Sequence, residues 1–179
     1  MKNIILVISI VFLSGCVPWF NSTTNTSDIS GIVRARGEYD NRFAYRHKYM
    51  NNSIKALPLI VTAGTIKNTG EFFAEIDFRV YNKSQAINFK YIDLYNSEGI
   101  KWEWEVYRNR LQVEKNRNFI IESYSMRIDS QINQLIKFFN DDAIYLKIIG
   151  DVNNFKRLDP KHTQSIILTL EYAKYLSQN

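Results

Sequence analysis

The sequence predicts a mainly β protein built as one antiparallel sandwich. Residues 72–82 (FFAEIDFRVYN) and 100–107 (IKWEWEVY) alternate apolar and polar side chains with period 2, the mark of strands with one face buried. Further β-rich runs follow one another with short turns between them, which favours a sandwich over βαβ units. The single cysteine leaves no partner for an inter-sheet disulfide, so the expected form is an immunoglobulin-like sandwich held by apolar burial alone.

Along the chain, "LPLIVTAGTI" (57–66) reads as the first of these strands. In 72–82, Phe72, Ala74, Ile76, Phe78 and Val80 fall on one face, and Glu75, Asp77 and Arg79 on the other. "AINFKYIDLY" (86–95) is joined to the next strand by Asn96, Ser97, Glu98 and Gly99, a short glycine-containing hairpin connection. In 100–107, Ile100, Trp102, Trp104 and Val106 oppose Lys101, Glu103 and Glu105. "NFIIESYSMRI" (118–128) and "AIYLKIIGDV" (143–152) supply two more strands. Two accessory helices complete the pattern. One spans about 131–139, with Ser130 as its cap and Ile132, Leu135, Ile136 and Phe139 at i, i+3, i+4 and i+7. The other spans about 160–176, with Asp159 as cap, Pro160 in the first turn, and Ile166, Ile167, Leu170 and Ala173 as its stripe.

The first sixteen residues have a different logic. Lys2, the ten-residue apolar run Ile4 to Leu13, and the small residues Ser14 and Gly15 before Cys16 have the layout of a secretory signal. The run is too short for a membrane span, which needs roughly 20 apolar residues. Leu13-Ser14-Gly15-Cys16 resembles the lipobox of bacterial lipoproteins. That resemblance implies cleavage before Cys16 and acylation of its sulfur, with Val17 in the following position favouring the outer membrane. Each buried acyl methylene contributes about 0.8 kcal/mol, so two or more chains anchor stably. The chain then divides into a signal (1–15), a lipidated tether (16–30, rich in Asn, Ser and Thr) and a single domain (31–179).

Charge is concentrated rather than spread. Loss of Lys2 with the signal leaves 22 basic and 18 acidic residues, a net of +4, and the segment 31–55 alone also carries +4. Within it Arg34, Arg36, Arg42, Arg46 and Lys48 mix with Tyr39, Phe43, Tyr45 and Tyr49, a composition suited to an anionic partner. The binding candidates are therefore Arg34, Arg36, Arg42, Tyr45, Arg46 and Lys48, and the expected partner is an anionic envelope component or protein. Export argues against nucleic acid.

Catalytic patterns are thin. His47 and His162 are the only histidines, both expected at the surface, and with Cys16 reserved for lipid there is no metal-ligand set and no cofactor to expect. No nucleophile elbow or glycine-rich phosphate loop occurs. Glu103 and Glu105 lie about 6.8 Å apart along a strand, a separation inverting glycosidases use, yet acidic residues on any alternating strand share it. Trp102 and Trp104 have the chemistry of a sugar-stacking platform, but their alternation with Lys and Glu assigns them to the core. The sequence thus favours a lipid-anchored, non-enzymatic binding module of the cell envelope, ahead of a glycan or peptidoglycan hydrolase or an assembly factor.

Overall fold

A computed structural model describes residues 31–35, 41–53, 56–83, 85–116 and 118–178. The signal, Cys16, the tether and Arg36 lie outside the described residues.

The described residues form two antiparallel sheets and three helices. In chain order the elements are β1 (Ile32–Arg34), β2 (Arg42–His47), α1 (Lys48–Asn52), β3 (Leu59–Ile66), β4 (Phe72–Asn82), β5 (Tyr91–Asn96), β6 (Lys101–Glu105), β7 (Gln112–Asn116), β8 (Phe119–Arg127), α2 (Ile132–Phe139), β9 (Ile144–Ile149), β10 (Asn154–Arg157) and α3 (Pro160–Ser177). The larger sheet runs β1-β2-β3-β4-β8-β7, and the smaller β10-β9-β5-β6.

Alternation decides which way each strand faces. In β4, Ala74, Ile76, Phe78 and Val80 are buried, and the register sets Phe78 opposite Leu59 and Tyr124, and Ile76 opposite Val61 and Met126. The smaller sheet answers with Ile92, Leu94, Trp104, Leu146 and Ile148, and Phe78 meets Trp104 with ring centroids 5.5 Å apart. These residues and the apolar faces of α2 and α3 form one continuous core. The remainder of the larger sheet's inner face is covered by α3, where Tyr172 packs edge-on against Tyr45 at 5.6 Å.

Local chemistry sets the element ends. The Asp159 carboxylate accepts from the His162 amide at 2.8 Å with Pro160 in the first turn, so α3 begins where the sequence predicts. At α2 the expected cap differs. Ser130 falls inside a 3-10 turn over Asp129–Gln131 and the helix begins at Ile132. Asp129 instead accepts from the Ala74 amide at 2.6 Å, binding that turn to β4. Gly99, with φ of 78°, makes the β5–β6 hairpin turn in a region L side chains avoid. Gly64 serves by its lack of bulk, because a Cβ there would stand 1.8 Å from the Phe43 carbonyl oxygen.

Phe73 departs from simple alternation. It lies on the outer face of β4 among charged residues and is nonetheless fully buried, with the Arg42 guanidinium 4.8 Å from its ring centre and that of Arg127 at 6.0 Å.

Candidate functional site

The basic segment does not fold into one surface. Because β2 alternates, Arg42, Ala44 and Arg46 take the outer face of the sheet, while Phe43, Tyr45 and His47 take the face covered by α3. Arg42 is engaged by Glu75 at 2.7 Å. Tyr45 packs on Tyr172, whose hydroxyl burial pushes well above the usual tyrosine range. Arg46 is 1% exposed, which withdraws it from any external partner. Arg34 and Lys48 are exposed, and Arg34 lies 5.7 Å from the Phe43 ring, which Lys67 approaches at 5.6 Å from β3's end.

His162 corrects the sequence expectation of a surface residue. It is 1% exposed, and its Nε2 donates to the Leu59 carbonyl oxygen at 2.7 Å. Burial holds its pKa below the ordinary 6.5. His47 is half-buried, and its Nδ1 accepts from the Tyr49 amide at 3.2 Å to cap α1. Among the described residues no three His, Cys, Asp or Glu converge as a metal site.

The carboxylate pairs are taken up by neighbours. Asp77 pairs with Arg79 and accepts from the Ser125 hydroxyl at 3.1 Å; burial raises its pKa, with Arg79 pulling the other way. Glu103 and Glu105 stand exposed on the outer face of β6, and Glu103 is bound by Lys101. The hydrogen bond to Glu103 raises the Lys101 pKa. The buried Glu122 has a structural task, since its two oxygens accept from the amides of Ile87 and Asn88 and fix the segment leading into β5.

A concavity among the described residues lies elsewhere, where the β5–β6 hairpin meets the end of α2. It is a groove of about 730 Å³, within the range of ligand sites. Its apolar floor is Ile100, Trp102 and Phe138, and its polar rim includes Gln134, Lys137 and Asp141. Trp102 and Trp104, expected together in the core, divide their roles: Trp104 is buried, whereas Trp102 stacks on it at 5.7 Å and turns a half-buried flank to the groove. Ile100, expected on the same apolar face, is 50% exposed.

Hydrogen bonds hold the groove's walls in place. The Asn96 Oδ1 accepts from the Ile100 amide at 2.9 Å, fixing the hairpin tip. The Ser97 hydroxyl donates to Asp141, joining that tip to the turn after α2 and lowering the Asp141 pKa. The second Asp141 oxygen has no protein donor. An aromatic flank, an amide and a cation, with the buried second oxygen of Asp141 behind them, can hold a ligand that is part apolar and part hydrogen-bonding. Sequence spacing could not expose this site because hairpin tip and helix end are distant in the chain. Its one local signal is Ile100, an apolar residue directly after the turn glycine.

No protein-family model, curated protein or solved structure matches this chain, so the chemistry of the site rests on its own residues.

Proposed function

We propose that the protein is a lipid-anchored lipoprotein of the bacterial cell envelope whose mainly β domain is a non-enzymatic binding module. The observation that carries the binding reading is the groove between the β5–β6 hairpin and α2, with Trp102 as its aromatic flank and Asp141 as its acceptor. Anchoring is supported by Leu13-Ser14-Gly15-Cys16, in which the chain's only cysteine follows a short apolar run. By the same resemblance Val17 directs the protein to the outer membrane. An immunoglobulin-like kinship of the sandwich belongs to this reading as a proposal about its origin.

The basic segment enters in reduced form. Arg34 and Lys48 are the described members placed to meet an anionic envelope partner, joined by Lys67 beside Phe43. The hydrolase alternative gains nothing from Glu103 and Glu105, which lie on an open strand face with Lys101 between Glu103 and Asp93.

Two experiments test the two halves. Cys16→Ser should release the protein from the membrane fraction and abolish palmitate labelling; retention with labelling overturns the anchor. A photo-crosslinking residue at Gln134 should capture an envelope component in whole cells, and that capture should be lost with Trp102→Ala. Identical capture in the Trp102 variant overturns the groove.

A further inference from the structure

The outer face of the smaller sheet carries a second cluster, separate from the groove. Tyr95, Tyr145 and Phe155 come from three adjacent strands, and the register of β5, β9 and β10 places all three side chains on the solvent side. Their ring centroids are 5.3 to 6.1 Å apart and their planes lie within 33° of parallel. Phe155, on the edge strand, is 57% exposed, and Arg157 lies 6.0 Å from the Tyr145 ring centre. Stacked aromatics left on an open sheet face mark an interaction surface, since folding would otherwise cover them.

The charges around the rings narrow the occupant. Lys101, Lys147 and Arg157 are balanced on this face by Asp93, Glu103 and Glu105, leaving no net charge. A polyanion or a basic peptide would find no complementary field here. Six charged residues on one small face also argue against the core of a protein interface, which is depleted of charge.

Asp93 adds the observation that points to a ligand. Its side chain is 7% exposed, with Oδ2 3.3 Å from the Lys101 ammonium, and its Oδ1 has no donor in the protein. It lies on the strand of Tyr95, two residues away, with Glu103 and Lys147 directly opposite on the flanking strands. A buried carboxylate oxygen without a donor is costly to maintain, and a ligand O–H or N–H would satisfy it. The flexible lysine side chains beside it can turn aside to admit one.

The geometry points to this face as a binding platform for a neutral glycan chain, the apolar C–H faces of its sugars on Tyr95, Tyr145 and Phe155 and a hydroxyl or acetamido N–H donating to Asp93. A sugar combines both needs, an apolar flat face for the rings and polar edges for the mixed charges. This goes beyond the groove reading and shares with it only Lys101, whose side chain also lines the groove.

The test uses the full-length protein extracted in mild detergent and titrated calorimetrically with chitohexaose, cellohexaose and an oligogalacturonate. A neutral hexasaccharide should bind, with an affinity that does not change with added salt. Tyr145→Ala with Phe155→Ala should weaken it at least tenfold, as should Asp93→Asn, with thermal melts showing that these variants remain folded, while Trp102→Ala leaves binding in place. Failure of both neutral sugars to bind, tighter salt-sensitive binding of the galacturonate, or unchanged binding by the Tyr145/Phe155 variant each overturns the platform. Loss of sugar binding on Trp102→Ala alone also overturns it, by placing the sugar in the groove and leaving the binding-module reading intact.

Discussion

His162 Nε2 lies 2.7 Å from the carbonyl oxygen of Leu59, a bond that ties the first turn of α3 to the start of β3. A carbonyl only accepts, so the proton must sit on Nε2, and the buried ring is held neutral by desolvation. Its folded pKa is below the ordinary 6.5, so the unfolded chain takes up a proton first as pH falls. The contribution of His162 to stability is full above about pH 6.5 and is lost as pH drops below it, by at most about 1.4 kcal/mol per pH unit. Urea denaturation at about pH 7.5 and pH 5.5 should show the loss. His162→Gln should remove that part of the pH dependence while lowering stability at both.

Glu122 is the second buried anchor. Glu122→Ala leaves the Ile87 and Asn88 amides without their acceptor, at a cost of about 3 kcal/mol. Glu122→Gln retains one good acceptor and should cost about half as much, roughly 1.5 kcal/mol, in the same urea titration.

Gly64 and Gly99 should respond in opposite degree to alanine. At Gly64 the new Cβ would meet the Phe43 carbonyl at 1.8 Å, so β2 must move away from β3; the expected loss is about 4 kcal/mol, at the upper end for single substitutions. At Gly99 the space is open and only the φ of 78° is unfavourable, giving a loss of about 1 kcal/mol. Thermal melts of the two variants check the order.

The paired tryptophans separate stability from binding. Trp104→Ala opens a cavity against Phe78 and should cost about 3–5 kcal/mol. Trp102→Ala removes a half-buried groove wall and should cost roughly 1 kcal/mol while abolishing groove crosslinks. Equal destabilisation by both would place Trp102 in the core.

Most strands could be read from the chain because one of their faces meets the core. Phe72–Asn82 appears with the predicted bounds, and α3 ends one residue beyond its predicted span of 160–176. β7 has no such signal: Gln112 to Lys115 are exposed, and this edge strand is held by its ladder to β8. β10 likewise shows only Phe155 as an apolar residue, and that ring points outward. Charge misled at Arg46, which alternation on β2 places on the outer face of the sheet and which is nonetheless buried, against the usual preference of a guanidinium for water. The groove and the buried His162 depend on distant segments meeting, which local periodicity does not encode.

The order of strands has a consequence for the life of the chain before it folds. β4 must pair with β8 across the intervening β5, β6 and β7, and β5 must pair with β9 across β6, β7 and β8. The larger sheet cannot be completed until Arg127 has been synthesised, nor the smaller until Arg157, and α3 completes the cover only after that. Long loops closed late make for slow, cooperative folding. The polypeptide therefore has no complete two-sheet core to resist passage through a narrow channel until Arg157 has emerged, and no proteolytic half of it retains a closed sheet pair.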